Sequence, residues 1–182
     1  IRDVDCFDAE FFGYTPREAA LSDPQERLFL ETSWHLLERA AHTRDRLRDQ
    51  YEGRVGVFVG AMYQQYQAVP ADADSRSLLM LSSYASIANK TSYFFDLQGP
   101  SVALDSMCSS GLQAVHQACQ SLRAGECRLA IAGGVNLSIH PDKYVALSRS
   151  GLIGSHAESR SFAEGDGYLP AEGVGAVLLK PL

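Results

Sequence analysis

The chain has 182 residues, 46% of them hydrophobic and 21% charged, with a formal net charge of −6. That length can enclose a real core and the composition is that of an ordinary soluble protein, while the acidic balance argues against nucleic acid or an anionic membrane as the main partner, since both select basic surfaces. Apolar runs such as Val55–Ala61 are far too short to cross a bilayer, and the start Ile1-Arg2-Asp3 lacks the features of a signal peptide, so the expected location is cytoplasmic.

Residues 1–22 are mixed, with aromatics at Phe7, Phe11, Phe12 and Tyr14. Asp23-Pro24 then opens a helix: Pro suits the first helical position, and Glu26 stands where a capping box needs it. Leu30, Trp34, Leu37 and Ala41 follow at helical spacing, and the charged stretch Arg44–Glu52 ends the region. Val55–Gly60 is a continuous apolar run, as in a strand covered on both faces. Residues 61–76 read as a polar loop, and a second helix is predicted from Leu79 to Asn89. After the Gly99-Pro100 turn, Ser101–Asp105 reads as a strand.

Cys108 comes next, and a helix runs from there to a stop at Gly125. Leu112, Val115, Cys119 and Leu122 are its predicted buried stripe. Arg128–Val135 is a third buried strand, a short helix is expected near Tyr144, and Val174–Leu179 is the last strand. Strands alternating with helices predict an α/β fold with a largely parallel sheet, in one domain or part of one.

Cys108 is the candidate nucleophile. A thiol where a helix begins meets unpaired amides and the positive end of the helix dipole, which favour the attacking thiolate and a developing oxyanion. Position alone leaves a buried structural cysteine as the commoner alternative. No pair among Cys6, Cys108, Cys119 and Cys127 has metal-ligand spacing, and a disulfide framework is not expected. His116 lies eight residues along the same helix, about 12 Å up its axis, out of hydrogen-bond reach of Cys108. His35, His42, His140 and His156 show no partner pattern either. The glycines around Gly165-Asp166-Gly167 and Glu172-Gly173-Val174-Gly175 lack the Lys-Ser/Thr of a phosphate loop and are read as tight turns beside a strand.

Taken together, the motifs resemble a β-ketoacyl synthase (ketosynthase) domain of a modular polyketide synthase, in the thiolase-like superfamily. The likeness covers nearly all 182 residues. It rests on Asp5–Gly13, Asp23-Pro24-Gln25-Glu26-Arg27-Leu28, Val57–Gly60, Asn89 through Pro100, Asp105-Ser106-Met107-Cys108-Ser109-Ser110, Ala132–Asn136 and Glu172–Gly175. Met62-Tyr63, Asp105-Ser106-Met107 and Asn136-Leu137-Ser138 with His140-Pro141 resemble ketosynthases served by a separate acyltransferase.

The resemblance implies a layered α/β/α fold with a mostly parallel sheet, of which residues 1–182 are the N-terminal, nucleophile-bearing half. It implies that Cys108 accepts an acyl chain from the phosphopantetheine of an acyl carrier protein, with no cofactor or metal bound directly. A malonyl-type extender then decarboxylates and condenses with that chain. The family's two histidines would follow Leu182, its first and central strand would precede Ile1, and the intact enzyme would be a homodimer with Ser101–Asp105 near the two-fold axis. A non-elongating ketosynthase, which only passes acyl chains on, and a non-catalytic interaction domain are the alternatives.

Three departures stand out. Gly111 replaces the family's usual Ser. Ala171 replaces its usual Gly, which matters if that position needs positive φ. The stretch Gly154–Asp166 is short and lacks the usual cysteine.

Overall fold

In a computed structural model that describes residues 1–66, 83–160 and 162–182, the sheet is built on strand β1 (Val55–Gly60), whose six residues are all buried. β1 pairs in parallel with β2 (Ser101–Leu104) on one side and β3 (Leu129–Asn136) on the other. β4 (Gly173–Leu179) runs antiparallel to β3, giving the order β2-β1-β3-β4. The sheet is therefore mostly parallel, as expected. One expectation is corrected: β1 and β3 are hydrogen-bonded directly, so the sheet has no interior place for a central strand before Ile1. Any further strand can join only at the β2 or β4 edge.

Helices cover both faces, as buried parallel strands require. Helices α2 (Pro24–Arg39) and α4 (Tyr84–Phe95) pack on one face, and α5 (Ser110–Arg123) on the other. Alternating side chains feed two cores. Val55, Val57, Val59, Leu129 and Ile131 meet Phe29, Leu30, Leu37 and Ile87, while Phe58, Ala130 and Ala132 meet Ala114 and Ala118. The N-terminal aromatics join the first core: Phe7 stacks on Phe12 at 5.1 Å, and Phe11 meets Trp34 edge-on at 4.7 Å.

Several local expectations change. α4 runs to Phe95, six residues beyond Asn89, while 79–82 and the loop-like residues 67–76 lie outside the described residues. The charged stretch after α2 is itself a helix, α3 (Arg44–Tyr51), capped by Thr43 and burying only Leu47. In α5 the fully buried line is Ser110, Ala114, Ala118 and Ser121, and Leu112 is 79% exposed. The reason is close approach: a Cβ on Gly60 would lie 2.4 Å from the Ser110 carbonyl carbon, so only small side chains fit between α5 and β1.

The capping box also moves. Asp23 caps α2 by accepting from the Gln25 amide (2.8 Å), but Glu26 accepts from Ser22 Oγ (2.7 Å) and Tyr14 Oη (3.2 Å) instead of reaching back. A complete box forms at Thr15 and Glu18, opening the short helix α1 (Pro16–Leu21).

Asp23 is fully buried, and its Oδ2 has no partner among the described residues. Burial raises its carboxyl from the usual 3.8 to about 6, against the pull of the Gln25 amide. A carboxyl whose folded value is raised binds its proton more readily in the native state. Stability on its account is fullest below pH 4, falls as pH rises through about 6, and is level above that. The difference corresponds to about 3 kcal/mol. Asp23→Asn keeps a capping oxygen without the charge. It is expected to remove this fall between pH 4 and 6.5 and to melt no lower than wild type at pH 7.5, read from Tm against pH. A D23N variant that keeps the wild-type slope contradicts the assignment.

Candidate active site

β1 and β2 end together, where Gly60 pairs with Leu104 and with Gly134, two residues before the end of β3. In parallel α/β sheets the carboxyl ends of strands are where ligands bind. Here the segments after β1 and β2, Ala61–Tyr63 and Met107–Cys108, and the last two residues of β3, Val135–Asn136, line one cavity of about 580 Å³. Helix α6 (Asp142–Arg149) and the segment before β4 complete it, contributing Lys143, Ala146, Leu147 and Ser150, then Tyr168, Pro170 and Ala171. The lining is largely apolar, and Cys108 is its one thiol.

Cys108 reaches the cavity because the chain turns sharply between β2 and α5. Met107 holds a left-handed φ of +60°, a conformation that costs a non-glycine residue about 1 kcal/mol or more and persists only where neighbours enforce it. Those neighbours are visible. The Met107 amide donates to Asp105 Oδ1 (2.8 Å), and the Met107 carbonyl accepts from the amide (3.1 Å) and hydroxyl (2.6 Å) of Ser110. Ser110 Oγ in turn accepts from the Ser106 amide (2.9 Å), and Ser109 Oγ donates to the Ser106 carbonyl (2.8 Å).

The serines beside Cys108 are thus spent on building the turn, and none caps the helix. α5 presents an uncapped first turn two residues beyond Cys108, which leaves its positive end open to an anion. Cys108 is exposed, while Cys127 is buried and Cys119 half-buried in α5. Gly111 has open space around its Cβ position, so the absent serine leaves room beside the thiol. Ala171 is not in the left-handed region, which removes the concern over its missing glycine; its carbonyl accepts from Asn136 Nδ2 (2.7 Å).

Among the described residues no histidine lines the cavity. His116 is exposed, His35 pairs with Glu38 at 3.5 Å, His42 packs edge-on against Tyr51, and His140 sits 3.3 Å from Asp142. Among the described residues no group of His, Cys, Asp or Glu could hold a metal ion, and no helix is long and apolar enough to cross a membrane.

Two buried residues near the cavity were not singled out by sequence. Lys143 is only 4% exposed, and burial pushes its ammonium below the usual lysine range while Glu172 pulls it back up. Gln25 is 1% exposed. The available signal for Lys143 was faint: it stands one helical turn before Leu147, on the same face as the one leucine its helix buries.

Comparison with known proteins follows the same lines. Residues 1–182 match the family profile described as beta-ketoacyl synthase, N-terminal domain. The chain is 54% identical over 189 residues to polyketide synthase PksL of Bacillus subtilis, with all of the chain aligned to 4% of that protein. It is 52% identical over 185 residues to polyketide synthase ThaG of Burkholderia thailandensis, again over its full length and 3% of the relative. Among solved structures, the oxazolomycin ketosynthase domain OzmH KS7 of Streptomyces albus superposes with a TM-score of 0.89 at 52% identity, over 99% of this chain and 32% of that one. The ketosynthase from module 6 of the Bacillus subtilis bacillaene synthase gives the same TM-score at 33% identity, over 100% and 31%. The chain thus spans about a third of solved ketosynthase chains and a small fraction of the synthases.

Proposed function

Since the chain belongs to the β-ketoacyl synthase family, as its N-terminal domain, we propose that it carries the acyl-accepting cysteine of a ketosynthase in polyketide assembly. The observation that carries the reading is the Met107–Ser110 turn, which sets an exposed thiol in an apolar cavity beside an uncapped helix start.

The chemistry is acyl transfer followed by condensation. Cys108 Sγ attacks the carbonyl carbon of an acyl thioester on the phosphopantetheine arm of an acyl carrier protein. The carbon–sulfur bond to the arm breaks, and the arm's sulfur leaves with the proton that Cys108 gives up. The amides at the start of α5 offer donors to the oxyanion of the tetrahedral intermediate. A malonyl-type thioester on a second carrier then loses CO₂. Its carbanion attacks the acyl-Cys108 carbonyl, a carbon–carbon bond forms, and Cys108 leaves as thiolate.

Among the described residues no histidine lines the cavity, and the family resemblance supports two histidines of the intact enzyme acting in this step. No cofactor is needed on the chain itself. The resemblance at Met62-Tyr63 and at Asn136–Ser138 with His140-Pro141 supports a synthase served by a separate acyltransferase. Among the described residues no strand pairs with the outer edge of β2, which supports a homodimer formed there.

The test is to incubate the intact protein with an acyl-pantetheine thioester and map the adduct by mass spectrometry. Acylation of Cys108 is the expected result; a folded protein with no acyl group at Cys108 refutes it. Acylation without a β-ketoacyl product, when malonyl carrier protein is added, assigns a non-elongating ketosynthase.

A further inference from the structure

Part of the cavity wall is held by two buried side chains to which the acyl-transfer chemistry gives no role. Gln25, in the first turn of α2, spans the segments after β1 and β3. Its Nε2 donates to the Tyr63 carbonyl (2.5 Å), and its Oε1 accepts from the Leu137 amide (3.2 Å). Lys143, on α6, grips the same two segments. Its Nζ donates to the Leu137 carbonyl (3.0 Å) and to Asn136 Oδ1 (2.7 Å), and it lies 5.0 Å from the centroid of the Tyr63 ring. Leu137 is therefore held at its amide by Gln25 and at its carbonyl by Lys143. Asn136 passes the restraint on through its bond to the Ala171 carbonyl. Tyr63, Asn136, Lys143 and Ala171 all line the cavity that holds Cys108.

The chemistry of Lys143 is unusual for a merely structural residue. Burying an ammonium is costly unless it is well bonded, and a thioether of similar length would fill the space without that cost. Among the described residues no carboxylate forms an ion pair with Lys143. Its partners are two neutral oxygens and a ring, all on the segments that shape the cavity.

We propose that Lys143 is a positioning residue that fixes the wall against which the acyl chain on Cys108 lies, and so sets affinity for longer acyl groups. The inference rests on the acyl-transfer reading above. An acetyl group stays close to Sγ, whereas an octanoyl chain must run along the wall.

The experiment uses the intact protein with acetyl- and octanoyl-pantetheine, and iodoacetamide as a probe of thiol reactivity alone. Lys143→Met is expected to raise the half-saturating concentration of octanoyl thioester about tenfold relative to that of acetyl thioester, with iodoacetamide labelling of Cys108 kept within about twofold. Lys143→Arg, which keeps the charge and donors, is expected to recover octanoyl affinity to within about threefold of wild type. Should K143M not fold, Asn136→Ala removes one of the two acceptors and is expected to give a rise of about threefold for octanoyl alone. The assignment is overturned if K143M, or N136A in its place, handles octanoyl thioester like wild type, if K143R is as impaired as K143M, or if both thioesters and iodoacetamide fall together. A wild-type protein that accepts neither acyl group overturns the acyl-transfer reading itself. A wild type that is acylated and a K143M that matches it overturn only the role of Lys143.

Discussion

Cys108→Ala is expected to abolish acyl-enzyme formation and to lower any product-forming rate by at least about a thousandfold, the order seen when a covalent nucleophile is removed. The adduct needs a thiol at the turn between β2 and α5, and no other described side chain in the cavity provides one. Cys6 is also exposed, which makes it the informative control. If acylation were mere exposure-driven thiol chemistry, Cys6 would be labelled as readily as Cys108 and C108A would still carry an acyl group there. Mass-spectrometric mapping of wild type and C108A separates the two outcomes. Stability should be little affected. Cys108 is exposed, and such substitutions usually stay within about 0.5 kcal/mol, so an unchanged Tm ties the loss to chemistry.

Gly60→Ala is expected to be the most damaging single methyl among the glycines that line the cavity. A Cβ there would stand 2.4 Å from the Ser110 carbonyl carbon and 2.6 Å from the Gly111 nitrogen, both backbone atoms that no side-chain rotation can move away. Either α5 lifts off the sheet or β1 bends. The cost is about 3 kcal/mol, the upper end for overpacking a core, and a drop in Tm of roughly 6–12 °C in a domain of this size. Acylation of Cys108 should fall as well, because the displaced backbone carries the turn that presents the thiol. Gly111→Ala is the matched control: the same methyl, one residue into the helix, meets nothing within 4 Å and should melt at or above wild type. A G60A protein that melts like wild type would show that α5 does not press on β1 as described.

The parts of the fold that sequence revealed are those where one local rule decides. Val55–Gly60 is a strand buried on both faces, and a run of apolar residues between glycines has no other comfortable home. Cys108 was legible because a strand ends and a helix starts around it. The parts that were hidden depend on neighbours far along the chain. Leu112 was expected inside on hydrophobicity, yet the proximity of α5 to Gly60 reserves that side for Ser110, Ala114 and Ala118. Helix α1 is under two turns long, too short to show a period, although Thr15, Pro16 and Glu18 spell its start. The strained φ of Met107 leaves no mark in composition. Lys143 and Gln25 look like surface residues until the segments after β1 and β3 close over them.

That closure has a consequence for the time at which the cavity can form. Gln25 and Leu137 are 112 residues apart, so the amide that Gln25 must satisfy is made long after α2. At ordinary translation speeds of about 5–20 residues per second, α2 waits roughly 6–22 s on the ribosome for this partner. Throughout that interval Gln25 remains hydrated, and α2 cannot settle fully on the sheet without stranding a polar group. The Cys108 turn, assembled from residues 105–110, is local and can form as soon as it emerges. The corner that holds Cys108 is therefore written early and its wall late, and the wall is complete only once α6 and the segment before β4 have followed β3.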